Sequence, residues 1–336
     1  MKRWKIILTV VLALLIIPVV AGAIYVNFIL DRVIINDEEF DKNFDLMTNE
    51  TLKDSKVKNI ALFGVDCRTE DYTGCRSDVM MILSYDQKNN DVTVTSIVRD
   101  TYVEIENRGF DKINHAYAFG GAELAIQTIN KTFDLDIEDY VTVDFWTVEK
   151  IIDAIGGVEI DITIEELPYV NQYIRGLNNE SGSSTGKELS SSGVQKLSGR
   201  QAVAYMRVRY TGDGDFERMQ RQRKVMGVAL EELKNISLTQ MLGLVNDMLS
   251  DVKTNISKSE IISLVTNVAV KGVPTMKQFQ VPTREGGVGK LINSIYYFVP
   301  NTLIENVVTL HELIYPEIDY QASEYVMKIS SDLEKY

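Results

Sequence analysis

The 336-residue sequence predicts an α/β fold: an α-β-α sandwich around a central mixed sheet, preceded by one N-terminal transmembrane helix. Three observations lead there. Short apolar or alternating β-branched runs interleave with helical patterns from residue 57 onward, which places helices over both faces of a sheet. Residues 6–30 carry no charged side chain. The composition, 45% hydrophobic and 25% charged with six prolines, suits a chain that buries a core and excludes a mainly disordered or collagen-like one.

Residues 6–30, if helical, extend roughly 37 Å at about 1.5 Å per residue, enough to cross a ~30 Å hydrocarbon layer with some tilt. Pro18 is tolerated in membrane helices. Lys2, Arg3 and Lys5 precede the segment, so the positive-inside rule keeps residues 1–5 in the cytoplasm and exports everything beyond residue 30. A cleaved signal peptide is the alternative, with Ala21-Gly22-Ala23 as a passable cleavage site, but the apolar run is too long for a typical signal core. The expected location is therefore the cell membrane, single-pass, with the remainder outside. Residues 31–56 are polar and read as a juxtamembrane stalk or short helical lead-in, and residues 57–336 as one extracytoplasmic domain.

Within that domain, residues 60–65 are a continuous apolar run, as expected of a strand buried on both faces, and 79–83 repeat it. Asn89-Asn90-Asp91 turns into an alternating β-branched strand at 92–98. A helix near 122–132 precedes a strand at 140–143, and a helix near 147–155 stops at Gly156-Gly157 before a strand at 158–162. Residues 176–193 are rich in Gly, Ser and Asn and read as a flexible surface loop. Helices follow near 198–206, 216–234, 238–249 and 258–270, then a strand at 278–281 and a final helix near 301–314.

The net charge of −13 becomes −16 once the three leading cations are set aside, so the exported part has no general attraction for anions. That balance argues against nucleic acid as a partner. Any anion site must be built locally, and the arginines are placed to build one. Of fourteen, eight fall in three stretches: Arg68 and Arg76; Arg99; and Arg207, Arg209, Arg218, Arg221 and Arg223. Arginine grips phosphate oxygens bidentately, where lysine is a looser point charge. Arg68, Arg76 and Arg99 lie just beyond strand ends, where ligands collect in open α/β sheets. Arg207 and Arg209 alternate, and Arg218 and Gln222 share a helix face. Surface ion pairing is the plainer reading of any single one, Arg221 and Arg223 above all. As a set they imply a ligand with two or more negative charges, because converging guanidiniums repel unless an anion neutralises them. Asp66, Asp78, Asp100, Asp213 and Asp215 are interleaved with them. Carboxylates beside a phosphate site suit Mg²⁺, although each acid could instead simply orient its neighbouring arginine.

In order along the chain, these motifs resemble the LytR-CpsA-Psr family of cell-wall ligases. They are Gly64-Val65-Asp66-Cys67-Arg68, Arg76-Ser77-Asp78, Ile97-Val98-Arg99-Asp100-Thr101, Lys112-Ile113-Asn114-His115-Ala116-Tyr117, Gly120-Gly121, Tyr205-Met206-Arg207-Val208-Arg209 and Gly214-Asp215-Phe216-Glu217-Arg218 with Arg221-Gln222. The likeness covers roughly residues 57–235. It implies a phosphotransferase on the outer membrane face, moving a teichoic acid, capsular or other wall polysaccharide from an undecaprenyl-pyrophosphate carrier to peptidoglycan through a phosphodiester. By the family's pattern Asp66 and Asp78 hold Mg²⁺. Arg68, Arg76, Arg99, Arg207, Arg209, Arg218 and Gln222 contact the pyrophosphate, and the lipid tail lies in an apolar tunnel between sheet and helices. Asp66, Arg99 and Asp100 are the catalytic candidates, with Asp66 or Asp100 taking the acceptor's proton.

Cys67 and Cys75 depart from the pattern. Outside the membrane, as the only two cysteines, they are expected to form a disulfide that stiffens the loop, with two free thiols as the alternative. His115 reads as a packed or surface histidine rather than a base, and Phe145 and Trp146 as core. Competing functions are a pyrophosphatase that uses water as acceptor, and a non-catalytic lipid-linked glycan-binding or regulatory protein. A regulator acting on DNA is disfavoured, since five cytoplasmic residues cannot form a reader.

Overall fold

The computed structural model describes residues 44–336 apart from 67–71, 73, 185, 238–239, 242, 245–246 and 248–250. The expected membrane span, the first part of the stalk and most of the helix expected at 238–249 lie outside the described residues. Among the described residues no helix is long and apolar enough to cross a membrane.

The central sheet is built from β1 (Val57–Val65), β2 (Ser77–Asp86), β3 (Asp91–Ile97), β6 (Asp139–Asp144), β9 (Lys253–Thr254) and β10 (Thr275–Val281), in the order β10-β3-β2-β1-β6-β9. The sheet is mixed, as expected. β1, β2 and β3 run antiparallel in a meander, whereas β6 adds parallel to β1 and β10 parallel to β3. This topology sends the C-terminal ends of β1, β3, β6 and β10 and the N-terminal end of β2 to one edge of the molecule. Residues 66, 78 and 99 therefore emerge together there.

Alternation along the strands divides the core. Ala61, Phe63, Val65, Met80 and Ile82 pack on one face with α1 (Ile113–Phe133), α7 (Leu303–Ile314) and α8 (Glu324–Leu333). Leu62, Met81, Leu83 and Val94 face the other way, against Met226 of α5 (Asp215–Glu232) and Leu264 of α6 (Lys258–Lys271). The sheet is thus covered on both sides. A second apolar cluster joins α2 (Phe145–Ala154), α3 (Leu167–Ser181) and α4 (Gly199–Arg207) to the hairpin of β7 (Val158–Ile162) and β8 (Gly193–Leu197).

Several elements depart from the sequence reading. The first third of the loop expected at 176–193 is helix, since α3 runs to Ser181, starting with Pro in its first turn and ending on the left-handed Gly182. Asn171 and Asn178 then grip the backbone of Leu189 and Gly186 from both sides, which substitutes side-chain bonds for a regular ladder. α1 starts nine residues before its expected position. Its Gly120-Gly121 kink, with Gly121 at φ 63° and ψ −155°, interrupts the helical pattern at a conformation that only glycine adopts readily. The hairpins β4 (Tyr102–Ile105)–β5 (Gly109–Lys112) and β11 (Gly287–Ile292)–β12 (Ile295–Pro300) were not anticipated. Nor is 301–314 the last helix, because α8 follows behind a Ser323 cap. The end of the stalk docks: Leu52 is fully buried, and Gln127 and Asn130 of α1 donate to the carbonyls of Asp45 and Leu46.

α4 crosses α2 so closely that a Cβ on Gly199 would lie 2.0 Å from the Glu149 carbonyl oxygen. The Gly199 amide uses this approach to donate to Asp153 (2.6 Å). Gly199→Ala is expected to destabilise the fold by about 1–3 kcal/mol, read as a lower urea midpoint at unchanged slope. An unchanged midpoint would contradict the packing described.

Candidate active site

The turn leaving β3 carries Arg99 and Asp100, and its backbone is tied down on every side. The Val98 amide donates to the Val281 carbonyl of β10 (2.9 Å), and the Phe298 amide of β12 donates to the Asp100 carbonyl (2.8 Å). The first amides of α1, those of Ile113 and Asn114, have no partner within the helix. They donate instead to the carbonyls of Thr101 and Arg99, at 2.9 and 3.2 Å. The Arg99 guanidinium is consequently aimed from a fixed base.

Its partners come from distant parts of the chain. Arg99 is ion-paired with Asp78 of β2, and its Nε lies 3.3 Å from Asp215 at the start of α5 and 3.8 Å from Asp100. Arg209 stands 3.9 Å from Asp78 and 4.0 Å from Asp215. Arg218, buried one turn into α5, reaches Asp215 at 3.0 Å and the Asp78 carbonyl at 3.4 Å. Three guanidiniums therefore gather around two carboxylates, with Lys112 holding Asp100 at 2.8 Å alongside.

The charges do not balance. Burial pushes Arg218 down to about 10, with Arg99 and Arg209 adding to the push against the opposing pull of Asp215. Its Nε is buried without a hydrogen-bond partner. Arg99 is also pushed down by burial, but Asp215, Asp78 and Asp100 together carry it above its usual value. The cluster keeps donors in reserve that a multivalent anion would satisfy.

Arg207 sits at the rim. It reaches Asp66 at 3.2 Å and Glu180 at 3.7 Å, and its guanidinium lies over the Phe145 ring at 4.5 Å. Phe145 is therefore more than core: it is a platform for a cation, and Trp146 serves Arg200 in the same way at 5.1 Å. Gln222 is buried one turn beyond Arg218. Arg76 is exposed, and no described contact ties it to the cluster. Arg68 and Cys67 lie outside the described residues; Cys75 is disulfide-bonded, and the chain has one other cysteine.

Two readings need correction. Arg221 and Arg223 are not surface residues but are buried in α5. Arg221 donates to Glu166 (2.8 Å), to the Val208 carbonyl (3.2 Å) and to Thr211, pinning the loop that presents Arg209. Asp213, grouped with Asp215 in the sequence, turns away and pairs with Arg284. His115 accords with its reading, hydrogen-bonded to Asp111 at 2.9 Å and edge-on to Phe119.

These features define a cluster of arginines and carboxylates at the open end of a mixed α/β sheet, with guanidinium donors left unpaired at its buried side. The chain belongs to the LytR-CpsA-Psr family, whose sequence model matches residues 30–312. It is 34% identical over 260 residues, 75% of this chain and 73% of the relative, to the polyisoprenyl-teichoic acid–peptidoglycan teichoic acid transferase TagU of Oceanobacillus iheyensis. A crystal structure from Enterococcus faecalis, described as a transcriptional regulator, is 27% identical with a TM-score of 0.65, covering 84% of this chain and 95% of that one. The family protein TagT (YwtF) with bound octaprenyl pyrophosphate lipid has the same fold at 24% identity and a TM-score of 0.57, covering 82% of this chain and 94% of that one.

Asp215 is the shared counter-charge of Arg99, Arg209 and Arg218. Asp215→Asn is expected to lower the stability of the free protein by about 1–3 kcal/mol, and added pyrophosphate is expected to raise the melting temperature of the variant more than that of the wild type. Equal stability of the two proteins would show that the guanidiniums need no such neutralisation.

Proposed function

We propose that the chain transfers a glycopolymer, a teichoic acid or other wall polysaccharide, from a polyprenyl-pyrophosphate carrier to peptidoglycan. The gathering of Arg99, Arg209 and Arg218 around Asp78 and Asp215 carries this reading, with the TagU relatives and the lipid-bound TagT in support. Undecaprenyl is the expected carrier.

In the proposed step a peptidoglycan hydroxyl, expected to be the 6-hydroxyl of N-acetylmuramic acid, attacks the phosphorus nearer the polymer. A new P–O bond forms while the bond from that phosphorus to the bridging oxygen breaks, and polyprenyl phosphate leaves. The hydroxyl proton passes to Asp66 or Asp100. Phosphoryl transfer depends mainly on positioning and charge neutralisation. Arg99, fixed by its backbone, and Arg218, buried without full pairing, supply both to the diphosphate. A charge-assisted hydrogen bond contributes about 1.5–3 kcal/mol, so several arginines together suffice to hold it.

Asp66 and Asp78 suit a magnesium ion. They offer hard carboxylate oxygens at the joined ends of β1 and β2, where Val65 pairs with Ser77. Among the described residues no group of three or more His, Cys, Asp or Glu gathers to hold a metal ion; magnesium ordinarily takes further ligands from substrate phosphates and water. Bound there, it would neutralise charge on the diphosphate. The membrane helix expected at residues 6–30 would hold the enzyme in the plane of its lipid-linked donor and raise the effective concentration.

Full-length protein in lipid vesicles, given lipid-linked donor and peptidoglycan, is expected to yield covalently linked polymer, and to lose that yield under a chelator and regain it with Mg²⁺. Arg218→Ala is expected to cut the rate about 10²-fold or more. Release of free phosphate or unlinked polymer alone would identify a pyrophosphatase instead. An Asp100→Asn variant with the full rate would assign the proton to Asp66.

A further inference from the structure

α5 has a second charged face. Gly227 follows Arg218 by nine residues, about two and a half helical turns, and so lies on the opposite side of the helix. There a cavity of about 620 Å³ opens between α5, α3, α4 and β10, lined among others by Glu166, Tyr205, Arg221, Arg223, Lys224 and Gln278. None of the residues proposed to hold the diphosphate lines it.

Its charge is unbalanced in the same sense as that of the cleft. Both acids in the wall are engaged by Arg221, Glu166 at 2.8 Å and Glu217 at 3.7 Å. Lys224 reaches the Asp161 carbonyl at 3.4 Å and lies over the Tyr205 ring at 5.8 Å, with no carboxylate partner among the described residues. Arg223 is 6% exposed, and its Nε and Nη1 are buried without a hydrogen-bond partner. Burial alone acts on its ionisation, pushing it down with no carboxylate to oppose it. Buried charges are ordinarily paired, so an unpaired guanidinium in the wall of a cavity points to a missing anion, which Arg223 would meet by turning its closed-off Nε and Nη1 toward the opening. A guanidinium presents two parallel N–H bonds that match phosphate oxygens. The cavity is of the size that holds organic ligands and exceeds what a bare ion needs.

We infer that this cavity is a second oxyanion site, in which Arg223 and Lys224 hold a phosphodiester of a polymer chain on the far side of α5 from the diphosphate cleft. The polymer as source rests on the proposed transfer reaction, whereas free phosphate would use the same groups without it. A donor with phosphodiesters in its backbone would then be gripped at two points, the diphosphate and a later repeat. Gly227 lines the cavity, and a Cβ there would rest in ordinary contact with the Met276 sulfur (3.4 Å) and the Gln278 amide (3.7 Å), so that a longer side chain would extend into the space.

Calorimetric titration of the full chain in detergent with a lipid-free glycerol-phosphate oligomer, and separately with inorganic phosphate, tests this. Arg223→Met is expected to weaken oligomer binding about tenfold or more. It is also expected to raise the melting temperature of the free protein by about 2–4 °C, since an unpaired buried charge is removed. Gly227→Leu, which fills the cavity and leaves Arg223 in place, is expected to weaken the oligomer equally, and Arg218→Ala to leave it bound. Arg223-dependent binding of inorganic phosphate without oligomer binding would keep the site and name free phosphate as its ligand. Oligomer binding that ignores both Arg223→Met and Gly227→Leu, or an Arg223→Met protein that melts lower, would overturn the inference. These titrations involve no transfer, so a failed transfer assay leaves their outcome intact.

Discussion

The architecture turns on the repulsion among Arg99, Arg209 and Arg218. Like charges brought together in a half-buried cleft must be held there by something stronger than their own preference for water. Asp78 and Asp215 offset part of the repulsion, and the rest is contained by a scaffold that leaves the side chains little freedom. The result is a free protein with guanidinium donors to spare, as the proposed diphosphate site requires.

The scaffold achieves this by crossing its connections at one edge of the sheet. Arg99 is fixed by three neighbouring segments through backbone hydrogen bonds. Asp78 sits at the register shift where β2 meets the end of β1, and Arg218 on a helix whose opposite faces meet the sheet and the α2–α4 layer. Arg209, on a loop, would be the least constrained, and the buried Arg221 fastens that loop to Glu166. Rigid elements thus carry most of the anion grip, and a buried ion pair steadies what they do not carry. Arg223, two positions on, has no hydrogen-bond partner for its Nε or Nη1, so one helix carries incompletely paired guanidiniums on two faces.

Much of this was legible in the sequence. The strands around residues 60–65 and 92–98 announce themselves by apolar and β-branched runs, and so Arg99, just beyond the second, could be placed at a sheet edge. What was not legible depends on long-range pairing. Arg221 reads as a surface residue because its partner, Glu166, lies 55 positions away in a segment with no helical signature of its own. Phe145 reads as core because a half-buried aromatic has the same pattern whether it supports apolar side chains or a guanidinium. α3 was hidden by its Asn-rich C-terminal half. The separation of Asp213 from Asp215 depends on the turn at Gly214, where φ is 62°, a detail that two acids spaced by one glycine do not reveal. The likeness of ordered motifs to the LytR-CpsA-Psr family does not depend on these contacts, since it weighs residue order rather than pairing.

The most direct measurement compares farnesyl pyrophosphate with farnesyl monophosphate as short-chain probes of the cleft, titrated into the wild-type protein across a salt series. Three guanidiniums around one pocket predict that the diphosphate binds at least about tenfold more tightly and that its affinity falls more steeply with salt. Equal affinities with equal salt dependence would mean that the arginines serve only their own carboxylates, and the cleft would lose its claim to be the site of transfer.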